Sequence, residues 1–339
     1  MSMSPFPVSN STLSTKHLAE FLQNEYQLGT KTDCKLLKTG ISHTYLVTAD
    51  SEKLIFRIYS LDWRTKAEIL EEIRLINLLK DNRISVSYPI PSPDGQYIKE
   101  FNAPEGTRFG VLFSHARGAK ALNYSAEIHF KVGETIGKIH SLTQNYNLDR
   151  VTYTPEILLD DSFQYLKSFL NPEQEEMIYM AELKEILKSE LHHIDRSQVR
   201  FGAVHTDIWF DNMHFYGEDE ITIFDFDFCG NGMLCQDLGY YIMQLYNLEK
   251  DEAQYNLKLE SFLKGYESTA TFSEEEKRII PYISTAIYFF FLGIQCQRYD
   301  NWSNVFLNEI YLSRFINLII KKWCDYNKIS VGENVSKLS

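Results

Sequence analysis

The residues with the most evident chemical capacity lie in one stretch. It runs His205-Thr206-Asp207-Ile208-Trp209-Phe210-Asp211-Asn212, then an apolar run Ile221-Thr222-Ile223-Phe224, then Asp225-Phe226-Asp227. Carboxylates and a carboxamide at the ends of apolar runs fall on short loops, where side chains from different segments meet at one point. Converging Asp and Asn oxygens suit a hard cation such as Mg2+, which takes oxygen ligands and usually keeps waters and substrate phosphates in its shell. The pattern therefore predicts a phosphate-bearing site. Each of these residues alone also suits a turn or a cap; their combination and order carry the reading. Asp227 reads equally as a second metal contact or as a loop carboxylate satisfied by backbone donors. His205 reads as a brace for its loop, and Asp237, just before Leu238, as a helix cap.

Such a site needs elements to position it. A helix is expected over residues 15–26 behind Ser14 as its cap. Short β-rich runs follow at 34–38, 45–48 and 54–59, with Gly40 and Ala49-Asp50-Ser51 as the turns between them, which predicts an antiparallel sheet. Over 65–80, Ile69, Ile73, Ile76 and Leu79 recur at helical spacing. Further strands are expected at 97–101 and 108–113, then a connection over 112–118, then a mainly helical chain that includes a helix over 123–140. The departure from helix in the second half is 199–227, two apolar runs around a turn at Gly217-Glu218-Asp219, read as one embedded hairpin. The fold class expected is α+β and bilobal. A flexible leader (1–14) precedes a small antiparallel β-rich lobe (15–115) and a larger, mainly α-helical lobe (116–339).

Composition narrows the function. The chain has 339 residues, 34 Lys+Arg against 46 Asp+Glu, a net charge of −12, 44% hydrophobic and 24% charged residues. That is an ordinary globular balance and excludes collagen, coiled coil and disordered tail. The acidic excess, with no basic stripe beyond pairs such as Lys321-Lys322, argues against nucleic acid and anionic membrane as partners. Five cysteines at irregular spacing predict neither a disulfide framework nor a zinc knuckle, and point to a reducing cytoplasm. His192-His193 and the pair Cys229, Cys235 lack the spacing of a metal site. The uncharged stretch 279–296 holds Pro281, Ser284, Thr285 and Gln295 and reads as a buried core helix rather than a membrane span.

The motif His205-x-Asp207-x4-Asn212, an apolar strand, then Asp225-Phe226-Asp227 resembles the phosphotransferase family of aminoglycoside phosphotransferases, choline kinase, homoserine-kinase-like enzymes and the bacterial stress-response kinase, distant relatives of protein kinases. Gly133-Glu134-Thr135-Ile136-Gly137-Lys138-Ile139-His140 is similar to that family's glycine-punctuated helix, and Asp237-Leu238 to its following helix start. The resemblance is looser in the first half: Leu37 to His43 at the phosphate-covering hairpin, Phe56-Arg57-Ile58-Tyr59 on the third strand, Glu71-Glu72 in the next helix. It implies a protein-kinase-like fold and an enzyme dependent on ATP and Mg2+ that phosphorylates a hydroxyl of a small molecule of aminoglycoside, homoserine, amino alcohol or sugar type. Asp207 would be the catalytic carboxylate. Asn212, Asp225 and Asp227 would contact the metal. Gly40, Ser42, Arg57, Glu72, Phe113 and His115 would serve the nucleotide, with Glu72 favoured over Glu71 as the partner of Arg57. Thr206 stands where the family commonly has Gly, a replacement that matters if the backbone there needs a positive φ. A protein serine/threonine kinase of the stress-response type, suggested by 57–61, 69–72 and 236–238, and a nucleotide-binding pseudokinase stay open. Oligomeric state and the acceptor are not legible.

Overall fold

A computed structural model of the chain describes residues 6–120, 123–217 and 220–332. The start of the expected leader (1–5) and the centre of the expected turn (Glu218, Asp219) lie outside the described residues. The chain divides into two compact units, one of residues 1–82, 86–116 and 298–305, the other of 83–85, 117–297 and 306–339. Two short segments thus cross the expected boundaries: 83–85 joins the second unit and 298–305 the first.

In the first unit, helix α1 (Thr15–Glu25) precedes strands β1 (Thr32–Thr39), β2 (Ser42–Ala49) and β3 (Glu52–Tyr59). Helix α2 (Lys66–Asp81) and strands β4 (Pro89–Ile90), β5 (Ile98–Ala103) and β6 (Gly106–Ser114) follow. The strands form an antiparallel sheet in the order β1-β2-β3-β6-β4, with β5 also paired to β6. Strand side chains alternate faces. Leu54, Phe56 and Ile58 of β3 join Tyr45 and Val47 in a core with Leu18, Ala19 and Leu22 of α1. Arg57 and Tyr59 therefore project from the opposite face, and both reach Glu72 of α2. Helix α2 opens with Thr65 and Glu68 in a reciprocal capping box, which satisfies two backbone donors at once. Ser14 precedes α1 but makes no side-chain cap; its hydroxyl meets His17 Nδ1 at 2.9 Å.

Ser11, within the expected leader, is bonded to the first unit. The Glu105 carboxylate accepts both the backbone N–H and the hydroxyl of Ser11, at 3.1 and 2.7 Å, and buried Arg108 donates to the Ser11 carbonyl at 2.7 Å. A buried Arg–Glu pair needs its remaining donors satisfied, and the leader backbone supplies acceptors.

The second unit contains α3 (Ala126–Thr143), α4 (Ser162–Leu166), α5 (Glu175–His192), α6 (Cys235–Leu248), α7 (Glu252–Glu267), α8 (Glu274–Gln297), α9 (Glu309–Phe315) and α10 (Lys321–Tyr326). Its β structure is two small antiparallel ladders rather than the one hairpin expected. Strand β7 (Phe201–Val204) pairs with β10 (Gly230–Met233), and β8 (Met213–Tyr216) pairs with β9 (Glu220–Ile223). The glycines of α3 allow close packing on α7: a Cβ at Gly133 would lie 2.0 Å from the Phe262 carbonyl oxygen. Helix α8 is long and apolar enough to cross a membrane, and 72% of that window is buried inside the fold. All five cysteines are free and buried.

Buried histidines make stability acid-sensitive. Burial, reinforced by nearby Arg108 and partly opposed by Glu105, lowers His43 to about 4. Burial, reinforced by Lys258 and partly opposed by Glu249, lowers His129 to about 4. The unfolded chain takes up these protons first, so stability is full above about pH 6.5 and falls toward pH 4, by on the order of 2–3 kcal/mol per histidine. Denaturant unfolding at pH 7, 6 and 5 should show the decline, and His129→Asn should reduce its slope by about half. A flat profile in the wild type contradicts neutral burial.

Candidate active site

Strand pairing gathers the acidic motifs. Asn212 immediately precedes β8 and Asp225 closely follows β9, so the antiparallel ladder brings both to its open end. There the Phe224 N–H donates to the Asn212 carbonyl at 3.1 Å. The loop of His205, Thr206 and Asp207 leaves β7 at the end where β10 begins, Val204 facing Gly230. Gly118, at φ 83°, lets the incoming chain lie against this hairpin: a Cβ there would fall 2.0 Å from the Phe215 carbonyl oxygen.

The carboxamide of Asn212 is oriented by its neighbours. Its Nδ2 donates to the Asp207 carboxylate at 2.8 Å and to the Asp207 carbonyl at 2.9 Å. That fixes which end of the amide points away. The acceptor Oδ1 makes no hydrogen bond among the described residues. His205 is fully enclosed: its Nδ1 accepts the Asp207 N–H at 3.2 Å and its Nε2 lies 3.1 Å from the Phe224 carbonyl. Those roles require the neutral Nε2–H tautomer, and burial lowers the imidazole below its usual range. A brace that stays uncharged costs the interior no buried ion.

The backbone itself is strained here. Thr206 and Asp225 have φ of 69° and 67°, the left-handed region that side chains rarely enter and β-branched ones least. The Asp237 carboxylate holds Thr206 there. It accepts the Thr206 N–H at 2.6 Å and the His205 N–H at 2.9 Å, and lies 3.2 Å from His140 Nε2. Leu234, not Asp237, is the N-cap of α6, so the cap expected at Asp237 is corrected: its carboxylate turns inward to the loop. Gln236 Nε2 adds a bond to the Thr206 hydroxyl at 3.0 Å. Thr206→Val keeps the strain and loses that bond, an expected cost of about 1–3 kcal/mol. Thr206→Gly removes the strain and should stay within about 1 kcal/mol of wild type, as denaturant titration would show. Equal losses in both variants contradict the strain.

The expected nucleotide residues lie in the first unit. Glu72 is fully buried; its Oε1 pairs with Arg57 Nη1 at 3.0 Å and its Oε2 accepts the Tyr59 hydroxyl at 2.9 Å. Glu71 pairs with Arg74 instead, so the structure selects Glu72. Gly40 sits in the β1–β2 turn, where a Cβ would meet only ordinary contacts. Ser42 Oγ is buried with no partner among the described residues. Phe113 is buried, with the Arg57 guanidinium 5.4 Å from its ring centre; His115 follows β6 and is half-buried. Asp227 is buried in a short turn whose carbonyl accepts Arg150 Nη2 at 2.5 Å.

Against known proteins, a model of the phosphotransferase enzyme family matches residues 33–272. The chain belongs to that family. A homoserine kinase of Agrobacterium fabrum is 24% identical over 82% of this chain and 84% of its own. Among solved structures, an amicoumacin kinase in complex with AMP-PNP, Ca2+ and Ami superposes with a TM-score of 0.75 at 20% identity, covering 91% of this chain and 94% of that one. A microcompartment-associated aminopropanol kinase does so with a TM-score of 0.74 at 18% identity, covering 95% and 98%. This phosphotransferase thus has the expected α+β, protein-kinase-like fold.

Sequence reading had no signal for the clamp behind the phosphotransferase's β9–β10 segment. Asn231 Oδ1 accepts the Leu148 N–H at 2.8 Å, and the Tyr153 hydroxyl donates to the Phe228 carbonyl at 2.6 Å. No three His, Cys, Asp or Glu side chains among the described residues could form a metal cage. A donor set of Asp225 and the open Asn212 Oδ1 fits instead a hard cation that keeps phosphate and water ligands.

Proposed function

We propose that the protein moves the γ-phosphoryl group of ATP to the hydroxyl of a small amino alcohol. The observation that carries this reading is the Asp207–Asn212 pairing at the open end of the β8–β9 ladder, where the Asn212 carbonyl accepts the N–H of Phe224, next to Asp225. Asp207 accepts the proton of the acceptor hydroxyl as its oxygen attacks phosphorus and ADP departs. Asn212 and Asp225 would hold Mg2+, with Asp227 as a further candidate. The ion, when bound, neutralises charge on the phosphate oxygens. Arg57, held by Glu72, would bind phosphate oxygens; Ser42 Oγ in the neighbouring turn is an unspent donor, and Gly40, Phe113 and His115 remain proposed nucleotide contacts.

The amine on the acceptor is supported by the surroundings of Asp207. Trp209 and Phe291 are half-buried rings associated with Tyr240, and aromatic faces with a carboxylate favour a cation. The similar proteins named above act on amicoumacin, homoserine and aminopropanol. The comparisons give no support to a protein kinase. Free buried cysteines and dependence on ATP suit the cytoplasm.

The test is ADP release, with 31P NMR of products, over a panel of 1-amino-2-propanol, ethanolamine, choline, L-homoserine and an aminoglycoside. One amino alcohol should yield a phosphomonoester with 1:1 ADP. No turnover above an Asp207→Asn blank contradicts the reading.

A further inference from the structure

Helix α6 presents Gln236, Tyr240 and Gln244 four residues apart, which places them on one face. The strip follows the loop described above. Gln236 reaches Thr206 at 3.0 Å, and the Tyr240 ring meets the Trp209 ring edge-on with centroids 6.5 Å apart. Tyr240 therefore stands abreast of Asp207, which lies between those two loop residues. Its ring is held on the other side by Tyr288, at 6.1 Å and 90°, and by Phe291, at 5.2 Å. Tyr240 is 5% exposed, and a buried phenol seeks a partner for its proton. Burial first, then the charge of the neighbouring Asp207, push the phenol well above its usual range. It stays protonated and is a donor.

The terminal torsion of an Asp side chain is broad, and each donor to the Asp207 carboxylate, Asn212 Nδ2 among them, narrows its orientation. A further donor narrows it again. We infer that Tyr240 is a positioning residue: its hydroxyl donates to the Asp207 carboxylate and, together with Asn212, fixes the orientation in which that carboxylate meets the acceptor hydroxyl. The inference rests on the reading that Asp207 is the proton acceptor. It accounts for a phenol, rather than an apolar side chain of the same shape, at a fully enclosed place on α6.

The experiment is a double-mutant cycle of Tyr240→Phe and Asp207→Asn, read as ADP release with the amino-alcohol panel and as hydrolysis into water without it. Tyr240→Phe should lower kcat about tenfold or more, leave KM for ATP within about twofold, and keep the thermal midpoint close to wild type. In the Asp207→Asn background it should cause no further loss, because the group it orients is gone. Unchanged kcat in Tyr240→Phe while Asp207→Asn loses turnover overturns this inference alone. So does an equal, additive loss in both backgrounds, which would mark a structural role. Full turnover in Asp207→Asn overturns the reading beneath it as well.

Discussion

An Asp207→Asn protein is expected to fold like the wild type and to release ADP at least about 10³-fold more slowly. The change keeps size and leaves an amide oxygen able to accept from Asn212 Nδ2, which now meets the Asp207 carboxylate at 2.8 Å. It removes the only charge in that pair and with it the capacity to take a proton. General base catalysis contributes about 10²–10⁴-fold, and misaligning the acceptor adds to the loss; a factor of 10³ is about 4 kcal/mol of barrier. Under the proposed assignment of Arg57 and Glu72 to the nucleotide, binding of ATP should change little, since both are untouched. Steady-state kinetics beside a denaturant titration separate the two effects, and near-normal kcat would remove Asp207 from the chemistry.

Asp237→Ala should cost about 4 kcal/mol or more in stability. Its carboxylate serves the N–H groups of His205 and Thr206 and the ring of His140, all buried. Deleting the shared acceptor leaves two backbone donors without partners, each worth about 1–3 kcal/mol, and frees the strained Thr206 to relax. His140 keeps the Tyr266 hydroxyl at 2.8 Å, so α3 remains anchored there. Asp237→Asn, with one oxygen still accepting, should lose roughly half as much. Relaxation of Thr206 moves Asp207, so kcat should also fall about 10²-fold or more in the folded fraction. A stable Asp237→Ala enzyme would show that the loop holds itself.

The meeting of Asn212 and Asp225 at one end of a ladder was legible because short apolar runs mark the strands beside them. Glu72 was legible through the resemblance of its helix to the family's, and in the structure it pairs with Arg57. Asp237 was misread because an acid in the first turn of a helix has the same local signature whether it caps that helix or serves a loop about thirty residues earlier. The bonds of Ser11 to Glu105 and Arg108 had no signal for the same reason, since these partners lie far along the chain. The β7–β10 ladder escaped because each strand spans only four residues, too short for alternation to show. Tyr240 gave no signal because α6 is apolar around most of its circumference, and any one of its three tyrosines resembles core.

The most direct test of the central claim is Mn2+ binding, followed by electron paramagnetic resonance in the presence of AMP-PNP, for wild type, Asp225→Asn and Asn212→Ala. Mn2+ and nucleotide should bind together in the wild type, and each substitution should weaken the ion at least about tenfold while the thermal midpoint stays close to wild type. Undiminished Mn2+ affinity in both variants would contradict the assignment of these two side chains to the cation.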